Sequence, residues 1–446
     1  MEHDVPVGEE SAPVNEETLA QGHVRATVAG APGADEHASG PADQGDRPTA
    51  ALLVRVTGRD RPGITADLMT LLDLTGTGVQ DLEQVLVRGH LTLAVAVDHP
   101  GERRSDLVTM LEHFARQRHL TVTLEEVPAT SGAQGPLDAI TVLGHELETE
   151  LSPAELGAVA GAVSAAGGNI ERIVRLARYP VYAYEFLVRG AQRDELQRLV
   201  TQASVTHRLD VAIQPAGLER RAKRLVVLDV DSTLIQDEVI ELLAEEAGCR
   251  DEVHMVTERA MAGELDFAEA LRERVRLLEG LDEAALLRAR ARMRLTPGAR
   301  TFVSTLRRLG YTVGIVSGGF TRFTDHLRAE LGLDHAVANE LLWHEGRLTG
   351  EVAGRIVDRA RKAELLTEFA AKENIPLSQT VAVGDGANDL DMLSTAGLGI
   401  AFNAKPVVQE VADTTVNVPY LDAILFVLGV RRGEVEAVSE DTATGI

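Results

Sequence analysis

Residues 225 to 233 read Leu-Val-Val-Leu-Asp-Val-Asp-Ser-Thr, a short apolar run that ends in two carboxylates, Asp229 and Asp231. An uninterrupted run of Leu and Val is typical of a strand buried on both faces in a parallel sheet. Functional groups in such sheets lie at the carboxyl ends of the strands, where Asp229 begins. Two neighbouring acids repel each other, so the motif indicates a cation site or a catalytic pair. A turn that caps the next helix is the alternative interpretation.

A second buried strand is predicted at Tyr-Thr-Val-Gly-Ile-Val-Ser-Gly-Gly, residues 311 to 319. It ends at Ser317 and Gly318, where a hydroxyl and unhindered N–H groups can hold phosphate oxygens. An ordinary glycine turn would explain this segment equally well on its own. Lys362 opens a helical stretch and is one of only four lysines in the chain. A compact ammonium at that position suggests a chemical requirement, with a chance surface lysine as the alternative.

A third strand ends in the segment Val-Ala-Val-Gly-Asp-Gly-Ala-Asn-Asp, residues 381 to 389. Asp385 follows the strand, and Asn388 and Asp389 come shortly after it. Glycine on both sides of Asp385 permits close backbone approach, and oxygen ligands of this kind suit a hard cation.

Together, these segments resemble the haloacid dehalogenase-like phosphotransferase superfamily, and residues 222 to 430 are similar to its phosphoserine phosphatases. The resemblance implies a Rossmann-like parallel α/β sheet and hydrolysis of O-phospho-L-serine to L-serine and phosphate, the last step of serine biosynthesis. Asp229 would attack phosphorus and form an aspartyl phosphate, while Asp231 would serve as general acid and then general base. Asp229, Asp385 and the backbone carbonyl of Asp231 would bind Mg²⁺.

The resemblance also assigns the residues that hold the phosphate. Ser317, Gly318, Lys362 and Asn388 would stabilise charge on the transferring phosphoryl group. Asp389, like Asn388, would orient Lys362, the phosphoryl group or metal-bound water.

About 80 residues separate Thr233 from Ser317, far more than one crossover helix needs. Apolar residues in this interval recur at helical spacing, so we expect a helical cap inserted after the first strand, over about residues 238 to 295. By resemblance, Glu238 would bind the ammonium of the substrate and Arg274 its carboxylate, with Met261 and Phe267 as apolar walls. Without the resemblance, Glu238 and Arg274 would be interpreted as solvated charges on helix faces.

Two weakly similar units, residues 50 to 128 and 137 to 215, precede the catalytic segment. Each shows the strand and helix order of a ferredoxin-like α+β fold. The segment Thr-Gly-Arg-Asp-Arg-Pro-Gly-Ile, residues 57 to 64, resembles the opening loop of ACT domains, which bind amino acids. The resemblance makes these candidate effector residues: Gly58, Asp60 and Gly63 in the first unit, and Gly144 and Asn169 in the second, which departs from the pattern. The pair either senses L-serine, as we favour, or only joins a homodimer.

Composition limits the remaining possibilities. The chain has 446 residues and a formal charge of −25, which argues against nucleic-acid and membrane partners. One cysteine, Cys249, and the lack of a leader-like segment favour the cytoplasm. Residues 1 to 49 are expected to be a disordered acidic tail, and 431 to 446 a C-terminal tail.

Two alternatives to a phosphoserine phosphatase stay open at this point. One is a related phosphatase or phosphotransferase acting on another phosphorylated amino alcohol. The other is an amino-acid sensor that carries a silent phosphatase fold.

Overall fold

The computed structural model describes residues 24–27, 51–127, 135–145, 149–262 and 264–443. The chain divides into two compact units, residues 1–133 and 134–446. Among the described residues, none of the helices combines the length and the apolar composition needed to cross a bilayer.

The first unit is a sheet covered by two helices. Its elements are β1 (Val24–Thr27), β2 (Ala51–Arg59), α1 (Ile64–Leu74), β3 (Val79–Val87), β4 (His90–Asp98), α2 (Arg104–Arg118) and β5 (Thr121–Val127), with a 3-10 turn at Gly101–Arg103. The strand order is β1-β5-β2-β4-β3, the ferredoxin-like arrangement with β1 added at one edge. Alternate residues of β2 and β4 are buried under the helices, as their sequence pattern predicts.

One strand of the first unit differs from the prediction of a disordered tail. Val24–Thr27 pair in parallel with β5 and so satisfy backbone groups that an edge strand would leave open. The other residues of the predicted tail lie outside the described residues.

The second unit opens with another ferredoxin-like sheet. Its elements are β6 (Leu137–Gly144), α3 (Pro153–Ala165), β7 (Asn169–Ala177), β8 (Ala183–Arg189), α4 (Arg193–His207), β9 (Leu209–Pro215) and the short helix α5 (Leu218–Arg221). The strand order is β7-β8-β6-β9, and every pairing is antiparallel.

The catalytic segment forms a seven-stranded sheet in the order β13-β12-β11-β10-β14-β15-β16. Its strands are β10 (Leu225–Leu228), β11 (Thr312–Phe320), β12 (His335–His344), β13 (Arg347–Ala353), β14 (Thr380–Gly384), β15 (Gly399–Phe402) and β16 (Thr414–Val416). All neighbours are parallel except β12 and β13, which form an antiparallel hairpin at one edge. The central strand β10 is buried on both faces, as its run of Leu and Val predicts.

Helices cover both faces of this sheet. They are α10 (Ala299–Arg308), α11 (Thr321–Leu331), α12 (Arg359–Lys372), α13 (Leu390–Thr395), α14 (Pro406–Gln409), α15 (Ile424–Val427) and α16 (Arg432–Ala443). Short helical turns lie at Val230–Leu234, Leu377–Gln379, Ala387–Asp389 and Leu421–Ala423. The segment predicted as a C-terminal tail contains helix α16. Its residue Val435 is 1% exposed and packs in the hydrophobic core, which holds this helix against the domain.

The cap is an insertion of four helices: α6 (Val239–Ala247), α7 (Arg250–Met261), α8 (Phe267–Arg276) and α9 (Glu283–Arg292). An antiparallel bridge between Ile235 and Leu295 joins the entry and exit of the insertion. The hairpin β12–β13 contacts the cap through backbone hydrogen bonds between Gly280 and Leu348 and between Leu348 and Leu281, each 2.9 Å. The insertion agrees with the interval predicted from the sequence.

Polar contacts join the second ferredoxin-like sheet to the catalytic segment. Arg220 is 9% exposed and donates to Glu185, to the Thr141 hydroxyl at 3.2 Å and to the Val427 carbonyl at 3.1 Å. Gln214 donates to the same Val427 carbonyl at 2.9 Å. Because a buried guanidinium is stable only while it keeps its partners, the bridge makes the stability of each domain depend on the other.

Replacement of Arg220 by Met should lower the free energy of unfolding by roughly 3 kcal/mol, because the Glu185 carboxylate loses its charged partner and the Val427 carbonyl keeps only its bond from Gln214. Urea denaturation of the full chain measures the change. Arg198→Met is the matched control, since Arg198 pairs with Glu195 on the surface of α4, and we expect less than about 0.5 kcal/mol from it. Equal effects of the two substitutions would contradict this account of the interface.

Candidate active site

Three neighbouring strands bring the candidate residues to one edge of the sheet. Leu228, the last residue of β10, is level with Ile315 on β11 and Val383 on β14. Because parallel strands end at the same edge, the polar residues that follow them converge. Asp229 continues the pairing, since its N–H donates to the Val383 carbonyl at 2.9 Å.

Lys362 lies in the middle of this edge and is fully buried. Its Nζ atom is 2.7 Å from Asp229 Oδ1 and 2.7 Å from Asp389 Oδ1. Burial acts to lower the pKa of Lys362, but the two carboxylates outweigh burial and raise the pKa above its usual value. The ammonium is therefore charged and fixed between two acids.

A cluster of three carboxylates could hold a metal ion. One oxygen each of Asp229, Asp385 and Asp389 lies within 4.8 Å of the others. Burial and the Asp389 charge raise the pKa of Asp385 to about 6, and burial also raises the pKa of Asp229 well above its usual range. A hard divalent cation would relieve this repulsion, so the oxygen donors fit such an ion.

Asp389 has a second function in this cluster. Besides holding Lys362, its Oδ2 accepts from the Gly386 N–H at 3.0 Å. Thr233 donates from its hydroxyl to Asp385 Oδ1 at 2.9 Å. These hydrogen bonds fix both carboxylates. Asp389 is also hydrogen-bonded to Lys362, whereas Asp385 is not.

Asp231 is held by two donors outside the carboxylate cluster. The Val239 N–H donates to its Oδ1 at 2.8 Å, and the Ser317 hydroxyl donates to its Oδ2 at 3.0 Å. Burial raises the pKa of Asp231 although both hydrogen bonds act to lower it. The raised pKa has the direction that a general acid requires.

Two glycines allow the side chains to approach this closely. A Cβ atom at Gly384 would lie 2.5 Å from the Asp389 carboxyl carbon. A Cβ atom at Gly319 would lie 2.9 Å from Ser317 Oγ and 3.1 Å from Asp231 Oδ2. The glycines at the carboxyl ends of β11 and β14 are therefore required by the packing of the acids.

Asn339 fixes the peptide after Gly318. Its Nδ2 donates to the Gly318 carbonyl at 2.8 Å, and its Oδ1 accepts from the Val357 N–H at 2.8 Å. Asn339 is 1% exposed. Sequence reasoning missed this residue because a single polar residue in β12 has no distinguishing pattern.

These groups border a cavity of about 410 Å³ between the sheet edge and the cap. Eight of the predicted residues line it: Asp229, Asp231, Glu238, Phe267, Arg274, Gly318, Asp385 and Asn388. The fully buried Ser317, Lys362 and Asp389 lie behind this wall and contact it through Asp229 and Asp231. The side chain of Met261 lies outside the described residues.

The cap contributes opposite charges to the cavity. Burial and the nearby Asp231 charge raise the pKa of Glu238 to about 7, although the Ser232 hydroxyl, which donates to Glu238 Oε1 at 2.8 Å, opposes the shift. Burial lowers the pKa of Arg274, while Glu238 and Asp231 act in the opposite direction. The Phe267 ring covers Gly318, whose Cβ position would be 3.2 Å from Phe267 Cζ. One cavity therefore presents an acid, a guanidinium and an aromatic wall.

Lys405 also lines the cavity and was not among the predicted site residues. It follows strand β15, at the same sheet edge as Asp229 and Asp385. Its position after a buried strand, together with the scarcity of lysine in the chain, was the signal that could have identified it.

The candidate effector residues are distributed over both ferredoxin-like sheets. Gly58 lies near the end of β2, Gly63 precedes α1, and the Asp60 N–H donates to the Gly89 carbonyl at 2.9 Å between them. In the second sheet, Asn169 is level with Arg189 at one end of β8, whereas Gly144 contacts Tyr182 at the other end. One chain therefore does not bring Gly144 and Asn169 together.

Comparison with known families matches residues 226–394 to haloacid dehalogenase-like hydrolases, and residues 50–125 and 138–214 to ACT domains. The phosphoserine phosphatase of Streptomyces coelicolor is 53% identical over 397 residues, which cover 88% of this chain and 95% of that protein. Phosphoserine phosphatase SerB2 of Mycobacterium tuberculosis is 46% identical over 393 residues, with 87% and 95% covered.

A solved structure shows the same fold. The unliganded probable phosphoserine phosphatase from Vibrio cholerae matches with a TM-score of 0.53 and 35% identity, covering 68% of this chain and 88% of that chain. The fold class predicted from the sequence is confirmed. The chain belongs to the phosphoserine phosphatase family of haloacid dehalogenase-like hydrolases, and two ACT domains precede its hydrolase domain.

Proposed function

We propose that the protein is a Mg²⁺-dependent phosphatase that hydrolyses O-phospho-L-serine to L-serine and phosphate. The observation that carries the proposal is one cavity that joins Asp229, Asp231 and Asp385 to Glu238 and Arg274. The first three suit phosphoryl transfer, and the last two match the opposite charges of a free amino acid. The names of the relatives from Streptomyces coelicolor and Mycobacterium tuberculosis support the same substrate.

Asp229 is the proposed nucleophile. Lys362 engages its Oδ1 at 2.7 Å, which leaves Oδ2 as the oxygen that attacks phosphorus. Protonated Asp231 gives its proton to the departing serine oxygen, and an aspartyl phosphate forms at Asp229. Asp231 then takes a proton from water as that water attacks the aspartyl phosphate and releases inorganic phosphate.

Asp229, Asp385 and the backbone carbonyl of Asp231 are the proposed Mg²⁺ ligands. When bound, the ion offsets the repulsion between the anionic nucleophile and the phosphate dianion. Gly318 and Asn388 border the place where phosphate would lie, and the carbonyl of Gly318 is fixed by Asn339. Ser317 supports the same region through its bond to Asp231.

Glu238 and Arg274 are the proposed specificity residues. The ionised Glu238 carboxylate would bind the substrate ammonium, and the Arg274 guanidinium would bind the substrate carboxylate through paired hydrogen bonds. Phe267 would exclude water from the same pocket. A phosphatase for another amino alcohol would have less need of Arg274, and a silent sensor would have no need of the complete acid and lysine set.

The ACT domains are proposed to sense L-serine and to contribute to a homodimer. Gly144 and Asn169 lie at opposite ends of one sheet, so an effector site that uses both requires two copies of the chain. This arrangement favours sensing at a dimer interface over a site within one subunit. The place at the end of serine biosynthesis and the cytoplasmic location stay predictions.

Asp229→Asn should reduce phosphate release from L-phosphoserine by at least about 10³-fold, because the amide is not a nucleophile. EDTA should abolish wild-type turnover, and added Mg²⁺ should restore it. Asp251→Asn, an exposed acid on the cap helix α7, is the matched control and should stay within about twofold of wild type. Persistent turnover by Asp229→Asn would reassign the nucleophile.

Arg274→Met should lower kcat/KM for phosphoserine by about 10- to 100-fold, because hydrogen bonds to the substrate carboxylate are lost. Phosphoethanolamine lacks that carboxylate, so its much lower kcat/KM should change little. Arg272→Met, an exposed arginine on the same helix, serves as the control. An equal loss with both substrates would show that Arg274 does not select the carboxylate.

L-Serine should inhibit the wild type even at saturating phosphoserine, because the proposed effector site is separate from the active site. Gly58→Ala should weaken this inhibition, since its Cβ would lie 2.6 Å from Leu120 Cδ2 and displace the loop. Gly433→Ala, on the exposed side of helix α16 with open space around it, is the control. If serine leaves the intact protein uninhibited, the ACT domains only join subunits.

A further inference from the structure

Lys405 places a second cation on the wall of the active-site cavity. It lies between β15 and α14, and its N–H donates to the Asp385 carbonyl at 3.3 Å. The ammonium makes no hydrogen bond or ion pair with any described residue, although the side chain is exposed at the cavity. Lys405 is therefore a cation near the reacting groups that the proposed mechanism does not use.

The charges of the cavity explain why such a cation would matter. Five acids line the wall: Asp229, Asp231, Glu238, Glu241 and Asp385. Arg274 and Lys405 are the basic residues among those that line it. If Arg274 takes the substrate carboxylate, Lys405 is the remaining wall cation that can attract the phosphate. The buried Lys362 lies behind Asp229 and is already paired with two acids.

The loop that carries Lys405 is held by a chain of hydrogen bonds. The Gln409 amide donates to the Ala404 carbonyl at 2.6 Å and to Asn417 Oδ1 at 3.0 Å. Asn417 in turn donates to Asp210, from its backbone N–H at 2.6 Å and from Nδ2 at 2.9 Å. Asp210 belongs to β9 of the second ACT domain and is 1% exposed. A buried acid of one domain thus fixes the residue next to Lys405 in the other.

A further contact holds the Asp210 carboxylate in place. His145, at the end of β6, lies with its Nε2 2.8 Å from Asp210 Oδ1. Both carboxylate oxygens of Asp210 therefore accept hydrogen bonds: two come from Asn417 in the hydrolase domain, and His145 of the same ACT domain supplies the third contact. A buried carboxylate with several hydrogen-bond partners is held in a defined position, and its two bonds from Asn417 fix the position of Asn417 as well.

We propose that Lys405 binds the phosphate of the substrate and of the product, and that Asp210 of the second ACT domain is the positioning residue for the Lys405 loop. This inference rests on the proposed function and adds a substrate-binding residue to it. It also gives the second ACT domain a direct part in the geometry of the active site. The competing interpretation is that Asp210 only docks the two domains.

Lys405→Met tests the first half. We expect KM for phosphoserine and the inhibition constant of inorganic phosphate each to rise about five- to tenfold, with kcat within about twofold. Lys405→Arg should recover most of the loss, and the difference from wild type should shrink at 1 M salt because charges are screened. Unchanged KM and phosphate inhibition in Lys405→Met would overturn the proposal.

Asp210→Ala tests the second half in a double-mutant cycle with Lys405→Met. If Asp210 acts through Lys405, Asp210→Ala alone should raise KM about threefold, and it should add nothing in the Lys405→Met background. Additive effects, or an unchanged KM, would show that Asp210 only docks the domains. Asn417→Ser breaks the same chain from the catalytic side and keeps the test valid if Asp210→Ala fails to fold.

Two controls separate positioning from general loosening. Asp138→Ala removes an equally buried acid of the same ACT domain that pairs with Arg193. Gln214→Ala removes another contact between the domains, at Val427. Both should lower the melting temperature without changing KM, and a raised KM in either would refute the specific role of Asp210.

Calorimetric titration of the Mg²⁺-loaded protein with inorganic phosphate keeps this inference apart from the proposed function. If the wild type hydrolyses no phosphoserine, the proposed function fails. Weaker phosphate binding by Lys405→Met than by wild type would still support the Lys405 assignment. Equal phosphate binding by both proteins would reject that assignment whatever the enzyme hydrolyses.

Discussion

The rest of the active site depends on one buried ammonium between two carboxylates. Lys362 is fully buried and contacts Asp229 and Asp389 at 2.7 Å each. Removing three charges from water is costly, so the arrangement is stable only while all partners stay in place. One positive and two negative charges leave a net negative charge, and the nearby Asp385 carboxylate adds to it. The site is therefore incomplete without a cation, which is why a hard divalent ion suits it.

This charge arrangement explains the backbone around it. Asp389 reaches Lys362 because Gly384 has no side chain, and Asp231 meets Ser317 because Gly319 has none. Glycine at these two strand ends is therefore required by the close packing of the acids. The division of labour between the acids also follows from their surroundings. Asp229 contacts a buried ammonium, which favours its charged form, whereas Asp231 accepts hydrogen bonds from two neutral donors, the Val239 N–H and the Ser317 hydroxyl.

Much of the catalytic sheet and its acids could be predicted from the sequence. An apolar run that stops at Asp229 or Asp385 indicates both a buried strand and the end of that strand at which the functional residues lie. The long interval after Thr233 likewise predicted the cap. Asn339 was missed because its hydrogen-bond partners are distant in the chain, and Lys405 was missed because only the folded structure places it on the cavity wall. The sequence did not show how far apart Gly144 and Asn169 lie, because their separation follows from the strand pairing in the folded sheet.

The two ACT domains are unequal parts of the molecule. The boundary between compact units falls near residue 133, so the second ACT domain belongs to the same compact unit as the hydrolase domain, and the first ACT domain belongs to the other unit. Buried polar groups explain this: Arg220 and Gln214 both donate to the Val427 carbonyl, and Asp210 accepts from Asn417. Separating these two domains would remove the hydrogen bonds between these groups, which would cost free energy. A change in the second domain that moved Asp210 would therefore reach the hydrolase without requiring a large rearrangement of the chain.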